Sequence, residues 1–99
     1  MNRYILKESK ESSGFCKEIE VFRYNGNFND TNVPDWFIVA KSNGIIKCWD
    51  KVDGKDKLMV LPYGANVEDG DYIARKIHSG GIGALSKKML DEYYDIVDY

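Results

Sequence analysis

Turn-forming residues interrupt this chain at short intervals, and that punctuation restricts its fold more than any other feature. Gly14, Asn25-Gly26, Gly44, Gly54, Pro62 with Gly64, Asp69-Gly70-Asp71 and Ser79-Gly80-Gly81 each mark a break. The connections they leave are too short for most βαβ crossovers, so strands close in sequence pair antiparallel. The expected fold class is α+β: a curved, mainly antiparallel sheet of five or six strands, packed on one side by two short helices.

Each segment follows from its local pattern. Residues 3–7 predict a first strand and residues 8–14, rich in serine, a mobile turn. Residues 15–24 predict a second strand, rich in β-branched and aromatic side chains. A loop then leads to Pro34. Residues 33–41 read as a short helix, because Asn32 can cap it, Pro34 suits its first turn and Gly44 its left-handed end. Val33, Trp36, Phe37 and Ala40 then share one face. Residues 45–49 and 57–61 predict a hairpin joined by residues 50–55, with Gly54 supplying a left-handed position. Further strands are expected at 72–77 and 82–85. Ser86 caps a last helix running to about Asp95, with Met89, Leu90, Tyr93, Ile96 and Val97 on the face toward the sheet.

Size and composition bound the rest. At 99 residues the chain makes one domain, residues 1–99, and its 43% hydrophobic content is ordinary for a globular protein. Its longest apolar run is five residues, against roughly 20 needed to cross a bilayer, so no membrane association is expected. The first ten residues carry no signal-peptide pattern, and nothing directs export. A net charge of −2 disfavours direct nucleic-acid binding. Asp91, Glu92, Asp95 and Asp98 make the C-terminal segment acidic; a solvated helix face is expected, a phosphate-backbone mimic the alternative. Cys16 and Cys48 form no metal-ligand spacing and are expected as two reduced thiols.

Catalytic constellations are hard to build from these residues. His78 is the single histidine, which excludes multi-histidine metal sites and weakens triad schemes. The run Gly80-Gly81-Ile82-Gly83 lacks the Gly-Lys-Ser/Thr of a P-loop and reads as a tight turn. Glu20 falls on the strand face of Phe22 and Tyr24, where a lone charge would be costly, and Arg75 is its candidate partner. The expectation is therefore no enzyme, no metal and no cofactor.

Four segments, in order, resemble a family of small bacteriophage and prophage proteins. Lys17-Glu18-Ile19-Glu20-Val21-Phe22-Arg23-Tyr24-Asn25-Gly26 is similar to that family's Lys-x-Val-x-Ile-Glu-Ala-Phe-Gln-Trp-x-Gly strand. Pro34-Asp35-Trp36-Phe37 resembles its Pro-x-Trp helix, and Gly70-Asp71-Tyr72-Ile73-Ala74-Arg75 its Gly-Asp-Tyr-Ile-Ile-Arg-Gly strand. Residues 86–94 resemble its closing helix. Residues 1–13 fall outside the match. The family's Gly-Glu-x-Tyr-Pro is replaced by Gly80-Gly81-Ile82-Gly83-Ala84, so no role of that Glu carries over.

The resemblance implies a phage accessory protein acting in the host cytoplasm by binding a host component. The leading expectation is a non-enzymatic binding protein that counters bacterial defence by sequestering a nucleotide-derived immune signal. Such a site needs cations for phosphate and aromatic faces for the base, and Lys47, Trp49, Tyr63, Tyr72, Arg75, Lys76 and His78 supply those types. A signal sponge is usually a symmetric homo-oligomer with sites at subunit interfaces. The alternatives are an acidic inhibitor of a host nucleic-acid-binding defence protein, and a minor virion or assembly component using a sheet edge.

Overall fold

The computed structural model describes residues 2–97, so Asp98 of the acidic segment lies outside the described residues. Eight strands and two helices follow in order: β1 (Asn2–Leu6), β2 (Glu18–Arg23), α1 (Asp35–Ser42), β3 (Ile46–Val52), β4 (Lys55–Val60), β5 (Ala65–Val67), β6 (Tyr72–Lys76), β7 (Ile82–Leu85), α2 (Lys87–Tyr93) and β8 (Tyr94–Val97). The α+β class and the antiparallel pairing stand. The single sheet does not: five strands form one sheet in the order β7-β6-β2-β1-β8, and β3-β4-β5 form a second.

Side-chain alternation on β2 explains why two sheets are needed. Ile19 and Val21 point to one face and join Leu6, Ala74, Leu90 and Tyr94 in one buried cluster. Phe22 and Tyr24 point to the other and join Phe37, Ala40, Leu58, Val60, Val67 and Ile73. Both faces of the large sheet are therefore apolar over its centre, and each must be covered. The small sheet and α1 cover one, and α2 covers the other. The helices thus lie on opposite faces rather than together, because Leu90 belongs to the first cluster and Phe37 to the second.

Local chemistry sets the elements. β3 and β4 are longer than the sequence pattern suggests, because their turn is the two-residue pair Asp53-Gly54, both at positive φ (52° and 77°), which suits a tight hairpin. The register shifts between Cys48 and Asp50, leaving Trp49 at a bulge. Helix α1 begins one residue after Pro34, and Asn32 is not its cap. Its end is a Schellman arrangement: Gly44 N–H donates to Lys41 O at 3.1 Å, and Ile45 N–H to Ala40 O at 2.9 Å. Gly44 holds φ at +74°, as that motif requires.

The segment expected to be a mobile turn is a 3₁₀ helix over Glu8–Ser13. Phe15 and Cys16, expected inside the second strand, instead pack beside the first cluster. The last helix is shorter than expected. It ends at Tyr93, and Tyr94–Val97 pairs with β1 as an edge strand, which leaves Ile96 half exposed. Tyr94 is the anchor of that change. Its side chain is buried, its hydroxyl donates to Cys16 O at 2.6 Å, and burial pushes its pKa up to about 12. Tyr24 ties the two sheets in the same way, donating to Asp56 O at 2.6 Å, and burial raises its pKa as well.

Both cysteines are free thiols, Cys16 half-buried and Cys48 exposed. No helix among the described residues is long and apolar enough to cross a membrane.

Candidate functional site

A groove runs between the C-terminal end of α1 with the start of β3 on one side and the β6–β7 hairpin on the other. Its two lobes share Ile45, Gly80 and Ile82. The upper lobe, about 290 Å³, is walled by Trp36 and Val39 of α1 and by Arg75 of β6. The lower lobe, about 410 Å³, is bordered by Pro62, Tyr63 and Lys76. The Schellman ending of α1 builds the wall, since it turns Ile45 back against Ala40 at the groove's centre.

Two residues of the upper lobe each carry a buried polar atom without a partner. Trp36 Nε1 and Arg75 Nε are the two buried side-chain nitrogens or oxygens without a hydrogen-bond partner among the described residues, and both residues line this lobe. A buried donor left unpaired costs about 1–3 kcal/mol, so two in one depression call for an explanation. Their positions are fixed by neighbours. The Trp36 ring packs edge-on against Phe22, centroids 5.6 Å apart. Arg75 stands directly across from Glu20 in the β2–β6 ladder, and its Nη2 is hydrogen-bonded and ion-paired to the Glu20 carboxylate. That pair meets the structural role expected of Glu20. It also fixes the guanidinium plane while leaving Nε buried without a partner. No carboxylate lines either lobe.

The seven residues expected to bind a ligand are not gathered into one place. Arg75 lines the upper lobe, and Lys76 and Tyr63, which is almost fully exposed, border the lower one. Tyr72 lies on the opposite face of the large sheet, against the Ile19–Val21 cluster. His78 sits in the turn after β6, 4.0 Å from a Glu18 carboxylate oxygen. Lys47 and Trp49 belong to the small sheet's edge strand. The Lys47 stem lies over Gly44, and Lys57 Nζ stands 5.9 Å from the Trp49 ring centroid.

The sequence pattern does not single out Trp36 or Ile45 as site residues. The sequence places Trp36 on the apolar face of a helix, which is true of its ring but says nothing of its N–H. The usable signal was the indole itself, the one polar group on that face.

The acidic C-terminal segment forms no continuous acidic helix. Asp91 pairs with Lys87 at 2.9 Å, Glu92 lies 3.9 Å from Lys10, and Asp95 is on β8. Among the described residues no three His, Cys, Asp or Glu side chains gather as they would around a metal ion. Comparison with protein-family models, with curated proteins and with solved structures found no match to this chain.

Proposed function

We propose that this is a non-enzymatic binding protein whose ligand sits in the α1–β7 groove, and that the ligand is a nucleotide-derived small molecule. The observation that carries the reading is that Trp36 and Arg75, whose Nε1 and Nε are buried without partners, wall one apolar lobe. Two unpartnered N–H donors on wall residues suit an acceptor-rich group, a phosphate or a base carbonyl, whose entry uncovers them. Ile45 and Ile82 offer apolar walls for a flat ring, and Lys76 at the lower lobe offers a charge for a second anionic group. In the phage setting implied by the sequence resemblance, capture of such a molecule would withdraw an immune signal from the host's defence. The separated carboxylates and the exposed, turn-borne His78 favour capture over turnover.

The test is binding of cyclic dinucleotides, cyclic mononucleotides and ADP-ribose derivatives, read by equilibrium dialysis and thermal stabilisation. At least one is retained. Trp36→Phe, which keeps the ring and removes the N–H, weakens it about tenfold, as loss of one buried hydrogen bond to a charged group predicts. Absence of retention and of stabilisation across the panel, with the protein folded, overturns the reading.

A further inference from the structure

A second cavity lies on the other face of the β6–β7 hairpin, beneath α2. It measures about 260 Å³, and its walls are apolar: Phe15, Ala74, Leu85 and Met89, with the Cys16 thiol and Tyr94 among them. Arg75 and Lys76 are neighbours in β6 and alternate in face: Arg75 lines the groove's upper lobe, and Lys76 stands at the edge between this cavity and the groove's lower lobe, lining both.

Lys76 is the only charged residue lining it. Its stem passes over Gly81, where a Cβ would come within 3.4 Å of Lys76 Cδ, on the side where the cavity borders the groove's lower lobe. No ion pair engages its ammonium, although seven pairs form among the described residues. Gly83 lines the same cavity, and a Cβ built there meets nothing within 4 Å. A position on edge strand β7 that a small side chain could fill is left open.

The geometry points to a binding site for an amphipathic monoanion: an apolar chain or ring of about ten non-hydrogen atoms, ending in a carboxylate that meets Lys76. The size follows from the volume, which equals that of roughly nine waters at about 30 Å³ each. The sign follows from the rim, which carries one unpaired cation and no carboxylate. The cavity has Lys76 and Gly83 in common with the groove's lower lobe and no residue in common with the Trp36–Arg75 lobe, so Trp36→Phe tests the groove without touching this site.

The two cysteines make the test internally controlled. Cys16 lines the cavity, and Cys48 is exposed on the small sheet. Alkylation by iodoacetamide is followed at each thiol by mass spectrometry, with octanoate or octylammonium as probe. At about five times its Kd, octanoate slows Cys16 about sixfold by simple occupancy and leaves Cys48 unchanged. Octylammonium protects Cys16 about threefold less well, and Lys76→Met, which keeps the stem, erases that difference. Gly83→Val fills the cavity on a strand position, so the protein stays folded while octanoate protection is lost. Equal slowing of both cysteines, equal protection by both probes in the unaltered protein, or protection that survives Gly83→Val would each overturn the inference.

Discussion

Tyr94 shows how much one polar atom settles in a small core. Its ring is buried in the cluster under α2, and its hydroxyl reaches the Cys16 carbonyl, so the neutral form is favoured and the pKa rises to about 12. In the unfolded chain a tyrosine titrates near pH 10. Because the folded value is the higher one, the stabilisation is complete below about pH 10 and is lost as pH rises through about 12. Tyr94→Phe removes the hydrogen bond at a cost of about 1 kcal/mol near pH 8. In urea titrations the gap between variant and unaltered protein narrows above pH 10; a constant gap would contradict the assignment. Tyr24 keeps some alkaline sensitivity in the variant, since its own pKa is raised by burial. Arg75 is divided differently: one guanidinium nitrogen closes an ion pair with Glu20, and another is buried without a partner.

At the scale of the element, the ending of α1 does two jobs with one backbone arrangement. Gly44 takes the left-handed conformation, which closes the helix and returns Ile45 to the groove wall. A Cβ at Gly44 would lie 3.5 Å from Lys47 Cε, an ordinary contact, so sterics with neighbours add little. Gly44→Ala therefore costs about 1–2 kcal/mol through backbone strain alone, measured by chemical denaturation. A neutral result would show that the motif opens without penalty. Of the three cues for this helix, Pro34 and Gly44 mark its ends and Asn32 does not cap it; with the apolar face of Val33, Trp36, Phe37 and Ala40, the two local signals were enough. The stretch after Tyr93 was not readable in that way. Met89, Leu90, Tyr93, Ile96 and Val97 fit a helical face, yet residues 94–97 form β8, because β1 offers an open edge and Tyr94 has a buried seat. A ladder to a strand ninety residues away has no trace in a local window.

For the whole molecule, the large sheet is shared by two cores. Val21 and Phe22 are adjacent in sequence and feed opposite clusters, as do Ile73 and Ala74. Neither core can melt without exposing the back of strands that the other needs, so unfolding is a single transition. Leu58→Ala in the core beneath the small sheet and Leu90→Ala in the core beneath α2 each remove a buried side chain that is 0% or 1% exposed. Each costs about 2–5 kcal/mol. Fluorescence of the two tryptophans and far-ultraviolet circular dichroism then report coincident midpoints in both variants. Separate midpoints would show that the cores are independent.

The α+β class with antiparallel pairing was determined by the sequence alone, through the spacing of its turns, and so was the position of most strands. Period-two alternation also paired Glu20 with Arg75, because a charge on an apolar strand face demands a partner nearby. What only the tertiary structure decided is how the apolar faces are shared. One sheet became two because β2 and β6 are apolar on both sides. The helices lie on opposite faces for the same reason, and four of the seven residues expected to bind a ligand lie away from the groove. The short intervals between turns constrain which strands can be neighbours. They do not say which face of a strand meets which layer, since that depends on contacts between residues far apart in the chain.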